Sequence, residues 1–192
     1  GVFVCIHDGA VDRTTNGHGL VAQMTLAQIR ALEVTGAGTD GAVERIPTLE
    51  EAMAILPPDV ALALELKTDR FLEKEVCARL ADELERGAVR ERTVALSFSL
   101  PRLRAMQSAA PDIPIGWITI SRVWPMAGVQ LLGPFWPLIL ANPLYVWLAH
   151  RRGQVVCPLD PTPDRRLWLY RWMRCDAVLS NDPEKTKKAL TS

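Results

Sequence analysis

Histidine and cysteine are both scarce in this chain, three and four among 192 residues. None of the four cysteines (Cys5, Cys77, Cys157, Cys175) stands at a metal-ligand or redox spacing. A chain this long and 48% hydrophobic does not need a disulfide framework, so reduced, buried thiols are expected. Net charge is also missing: 22 basic residues balance 22 acidic ones, which argues against bulk nucleic-acid binding. No Gly-rich dinucleotide or phosphate loop occurs, so a doubly wound nucleotide fold has no support. No signal peptide is visible, which fits a cytoplasmic location. The chain opens on glycine rather than methionine, so Gly1 is not expected to be the native start.

The zero net charge hides an asymmetry. Residues 1–96 carry 10 Lys/Arg against 16 Asp/Glu, a net of −6, and residues 97–192 carry 12 against 6, a net of +6. All six tryptophans lie in the second half. Either an acidic half packs on a basic half, or a basic, Trp-rich half meets a membrane surface.

The chain alternates strand and helix signals. Thr25 with Gln28, and Thr48 with Glu51, fit capping boxes. Residues 60–64 predict a buried strand ending in Glu65-Leu66-Lys67. Asp69 then caps a helix with Leu72, Val76, Leu80 and Leu84 on one face and Gly87 at its end. Further strands are predicted at 93–98, 114–118, 137–140, 155–157 and 177–179, each followed by a helix. Ser99 with Pro101 opens one helix, and Asn142-Pro143 opens another that Gly153 closes. An N-terminal strand, Val2–Ile6, precedes them. Repeated βα units imply parallel strands with helices outside. A complete (β/α)₈ barrel usually takes about 250 residues and eight units. Six units in one 192-residue domain predict a barrel without its first two strands.

Three side chains carry the candidate chemistry. Glu65 and Lys67, two apart at a strand end, leave the same face, where one can hold a cation and the other a phosphate oxygen. Alone, such a pair is more often a solvated ion pair. His7 ends the first apolar run and begins His7-Asp8-Gly9-Ala10-Val11-Asp12-Arg13-Thr14-Thr15-Asn16-Gly17-His18-Gly19. This stretch resembles the "HD-x-x-x-D-R-T-T-N-G-x-G" hallmark of the glycerophosphodiester phosphodiesterases. Residues 46–51 are similar to that family's "I-P-T-L-E-E", Glu65-Leu66-Lys67 to its "E-I-K", Ser97-Phe98 to its "S-F", 149–153 to "A-H-x-x-G", and 176–183 to its closing "D-G-I-I-T-N/D-x-P".

The resemblance implies a TIM-type (β/α)₈ barrel of the phospholipase-C-like phosphodiesterase type and a role in lipid metabolism. It implies hydrolysis of a glycerophosphodiester, or a lysophospholipid-like substrate, to sn-glycerol 3-phosphate and an alcohol with a divalent cation, Ca²⁺ or Mg²⁺. It makes His7 a catalytic acid/base, Glu65 a metal ligand and Lys67 a phosphate contact. Arg13-Thr14-Thr15 then hold the loop, and His150 is a helix-end residue. There are departures. The family's "W-T-V-N" strand end is here Cys157-Pro158-Leu159-Asp160, without the aromatic. The "H-R-G" and "E-x-D" motifs are absent, and Glu65 alone cannot complete a site of about six oxygens. The polypeptide is therefore expected to be nearly inactive by itself.

Residues 123–149 contain no charge. Their length suits a membrane span, but Pro125, Pro134, Pro137 and Pro143 would break a single helix. An apolar loop insertion over 123–135 followed by a buried strand is predicted. Trp124, Phe135 and Trp136 are candidates for contact with a bilayer surface. Two other functions stay open: a non-catalytic barrel remnant serving as a membrane- or partner-binding module, and a Schiff-base enzyme using Lys67.

Overall fold

The computed structural model describes residues 1–35 and 43–191. The N-terminal part is short on regular structure. Helices α1 (Leu26–Ala31) and α2 (Leu49–Ala54) both start at the predicted threonines. In each, the threonine hydroxyl accepts from the third residue's amide and that residue's side chain accepts from the threonine amide. Residues 2–6 do not join the main sheet. They make an antiparallel bridge, Val4 to Thr48, with Cys5 N donating to Pro47 O and Leu49 N to Phe3 O, both at 2.9 Å.

The regular part begins at β1 (Leu62–Glu65). Asp69 opens only a 3₁₀ turn, Asp69–Leu72, and Leu72 is exposed. The amphipathic helix is α3 (Lys74–Arg86), which buries Val76, Cys77, Leu80, Ala81 and Leu84 and stops at Gly87. Each fully buried Leu or Val side chain contributes about 1.5–3 kcal/mol. There follow β2 (Thr93–Ser97), α4 (Leu100–Ala109), β3 (Ile115–Thr119) and β4 (Leu131–Pro134). The chain ends with α5 (Trp136–Ala141), α6 (Tyr145–His150), β5 (Val155–Val156), α7 (Leu167–Trp172) and α8 (Pro183–Thr191).

Besides Val2–Ile6, which forms only that isolated bridge, two predicted strands are corrected. Residues 137–140 lie within α5, with Pro137 in its first turn, where a missing N–H costs nothing. The strand falls earlier, at 131–134, so the apolar loop is shorter than 123–135. Residues 177–179 form no ladder. Their approach to the sheet is through Asp176 N and Ala177 N, both donating to Val156 O.

The five strands form one sheet in order β1-β2-β3-β4-β5, every neighbour parallel. This is an α/β fold with the topology of an incomplete TIM-type barrel, one stave fewer than the six units predicted. The register places Ser97, Trp117, Leu132 and Val156 on one face, all buried beneath the helices. Glu65, Leu96, Gly116, Leu131 and Val155 share the other face. Gly116 is there for want of room: a Cβ would lie 2.3 Å from Leu96 Cδ2 and 3.1 Å from Leu131 Cβ.

Candidate active site

In a parallel sheet of this type, ligands gather at the carboxyl ends of the strands. Glu65 closes β1, and Lys67 lies two residues beyond it. Their side chains meet, Lys67 Nζ to Glu65 Oε2 at 2.8 Å, each about a quarter exposed (28% and 26%). Alternation along the strand explains the pairing: Leu66 between them is buried on the opposite, helix-covered face. Both charged groups line a cleft of about 500 Å³. Its walls are largely apolar, from Phe3, Ile6, Met24, Ile29, Leu64 and Phe71.

Asp8 lines the same cleft. His7 Nδ1 lies 2.6 Å from Asp8 Oδ1, and Arg13 Nε–H donates to Asp8 Oδ2 at 2.5 Å. The Arg13 hydrogen bond, then that of His7, pulls the Asp8 carboxyl down to about 2. At neutral pH Asp8 is therefore an acceptor only. Nδ1 must carry a hydrogen, which leaves the neutral ring's lone pair on Nε2. The His7 side chain is 72% exposed. The loop around it is held as the sequence predicts: Thr15 Oγ1 donates to Val11 O, and Asp12 accepts from Gly19 N at 3.0 Å. His18 faces Asp12 at 3.1 Å. His150 ends α6 and meets Asp176 at 2.9 Å, a structural contact.

The predicted membrane residues separate. Trp124 is 61% exposed, whereas Phe135 and Trp136 are half-buried. Their rings pack edge to face at 6.2 Å, and the Arg166 guanidinium lies 4.1 Å above the Trp136 ring. Trp136 is thus a packed residue of the strand-end rim, where its backbone N–H donates to Leu159 O at 3.1 Å.

Sequence reasoning missed a cluster on that rim. Asp160, fully buried, accepts from Arg166 Nε and Nη2 at 2.7 Å each, from Thr162 N at 2.9 Å and from the Tyr170 hydroxyl. Burial pushes the Asp160 carboxyl upward, but its Arg166, Tyr170 and Thr162 bonds prevail and hold it below its ordinary value. The four-residue spacing of Arg166 and Tyr170 was the available signal; the contribution of Trp136 comes only from the adjacency of β4 and β5.

No three His, Cys, Asp or Glu side chains converge to hold a metal ion among the described residues. Glu65 can offer Oε1, its Oε2 being paired with Lys67. The cysteines are free; burial, then Asp176, pushes Cys157 to about 11, and burial is the first cause of the rise of Cys175 to about 12.

Comparison with known proteins places this parallel βα sheet among the phosphoric diester hydrolases. The chain belongs to the glycerophosphoryl diester phosphodiesterase family, whose model matches residues 1–185. It is 31% identical over 194 aligned positions to a glycerophosphodiester phosphodiesterase of Caldanaerobacter subterraneus subsp. tengcongensis, covering 96% of this chain and 78% of that protein. A Mycobacterium tuberculosis protein named as a probable glycerophosphodiester phosphodiesterase 1 is 30% identical, over 81% of this chain and 65% of its own length. Among solved structures, an Oleispira antarctica phosphodiesterase in complex with the product sn-glycerol-3-phosphate superimposes with a TM-score of 0.86 at 25% identity. That match covers 98% of this chain and 79% of the other.

Proposed function

We propose that the chain acts in the hydrolysis of glycerophosphodiesters to sn-glycerol 3-phosphate and an alcohol, with a divalent cation, Ca²⁺ or Mg²⁺. The observation that carries the reading is the shared cleft: Asp8, which orients His7, opens onto the same space as the Glu65–Lys67 pair. Lys67 offers an ammonium to a phosphoryl oxygen, neutralising charge that grows as the phosphorus is attacked. His7 Nε2 takes or gives the proton, with Asp8 fixing the ring's tautomer. The product named with the Oleispira antarctica structure supports the substrate class. A Schiff-base role for Lys67 needs a free amine, so the ion pair with Glu65 favours the phosphate-contact reading.

The described residues do not by themselves make a complete cation site, since a hard cation takes six or more oxygens. Glu65 fits as one donor, and when bound the ion would polarise the phosphoryl oxygens. Turnover by these residues alone is accordingly expected to be low. The test is release of sn-glycerol 3-phosphate from glycerophosphocholine, with the cation added or chelated. Glu65→Gln should remove activity most strongly at limiting cation. His7→Ala should lower kcat by about 10²–10⁴-fold with little change in KM. In a version of the protein that also carries the "H-R-G" and "E-x-D" motifs, no release under any cation condition would favour the non-catalytic barrel module instead.

A further inference from the structure

We infer that the outer face built by α6, α7 and the loop ahead of β4 docks on an anionic lipid surface, a proposal that does not depend on the hydrolytic reading. The outward tryptophans are the first observation. Helix α7 buries Leu167, Leu169 and Tyr170 and leaves Trp168 and Trp172 at 69% and 73% exposure. These two are four residues apart and share one helix face. Helix α6 buries Tyr145, Val146 and Ala149 and leaves Trp147 at 54% exposure, beside an exposed Leu144.

Trp124 joins this surface through two staples. Asn142 Nδ2 donates to Val123 O at 2.8 Å and Arg152 Nη1 to Pro125 O at 2.7 Å, which fixes the loop against the ends of α6. Helix α6 follows β4 and helix α7 follows β5, its parallel neighbour in the sheet. The end of α6 is tied to the segment after α7 by the bond from His150 to Asp176.

The charge around these rings selects the occupant. Arg151 lies 5.3 Å over the Trp147 ring, and Arg165, Arg171 and Arg174 are exposed around α7. The acidic groups of the region are engaged: Asp176 by His150 and Val156 N, Asp164 by Thr186 and Lys185. Indole rings ringed by guanidinium groups suit the headgroup layer, where the ring is half-immersed and the cation meets lipid phosphate. A second copy of the chain would bring like charges together, which opposes self-association through this face.

The experiment is flotation of the full chain with phosphatidylcholine vesicles, with and without phosphatidylserine. The expected result is binding that needs phosphatidylserine, weakens with salt and shifts tryptophan emission to the blue. The double variant Trp168→Ala/Trp172→Ala should bind at least roughly tenfold more weakly. Arg151→Glu with Arg165→Glu should lose the preference for the anionic lipid, each arginine near the surface being worth about fivefold. Because the altered side chains are exposed, far-UV circular dichroism should match wild type, which separates lost binding from lost folding. Three results would overturn the proposal: no flotation with phosphatidylserine, flotation undiminished in the tryptophan variant, or dimerisation of the wild type that this variant abolishes.

Discussion

The chain before β1 and the chain after it are held together by different forces. Before it, isolated bridges (Val4–Thr48, Ala10–Leu20, Thr15–Val34) and polar side chains brace the loops around a small cluster of Val11, Ile29 and Ile46, while α2 joins the large core through Leu49 and Met53. After it, a continuous ladder and a single large core do the work, with Leu80, Leu84, Leu103, Met106, Leu132 and Ile139 at its centre. The candidate site takes one component from each. Glu65 and Lys67 ride on a strand end fixed by packing, whereas His7 and Asp8 ride on a loop fixed by hydrogen bonds. The Asp8 side of the cleft therefore rests on fewer packing contacts than the Glu65–Lys67 side.

The comparison is broken most forcefully at Asp160. Asp160→Ala leaves Arg166 without its carboxylate and Tyr170 without its acceptor, and should cost about 3–5 kcal/mol in urea denaturation. A loss confined to a few tenths would show that the rim cluster is not part of the second region's framework. Leu103→Ala should cost roughly 2–5 kcal/mol, because Leu103 is wholly buried in the large core. Val11→Ala, equally buried but in the small cluster, should mainly raise hydrogen exchange in residues 5–34 and leave the β2 and β3 amides protected. Uniform loss of protection in both variants would mean one cooperative unit rather than two.

The smallest effect concerns pH. The Asp8 carboxyl is depressed in the folded chain, so its ion pairs stabilise the loop above the unfolded carboxylate value of about 3.9. That contribution fades as pH falls towards about 2. Arg13→Ala should move the Asp8 midpoint upward, though still below the ordinary value because the His7 bond remains; NMR titration of the carboxyl carbon reads this directly. An unchanged midpoint would remove Arg13 from the account.

Much of this was legible beforehand because local signals and tertiary structure agree. The hydroxyls of Thr25 and Thr48, Ser99 ahead of Pro101, and Gly87 all mark helix ends where the sequence places them. The failures fall where one composition suits two structures. Residues 136–141 are apolar enough for a strand, yet Pro137 in the first turn suits a helix. The true strand was masked by Gly133 and Pro134, both poor strand formers. Of the site, the Glu65–Lys67 contact was readable from two-residue alternation. The setting of Trp136 under Arg166 was not, since it joins segments thirty positions apart.

One bare position has a consequence for redesign. At Gly116 the concave face has a notch into which Leu96 and Leu131 lean, so the middle stave is already filled by its neighbours. Enlarging residue 116 would wedge those leucines apart and flatten the arc that points Glu65 inward. Shortening Leu96 instead would relieve the crowding at residue 116 and leave the neighbouring staves in register.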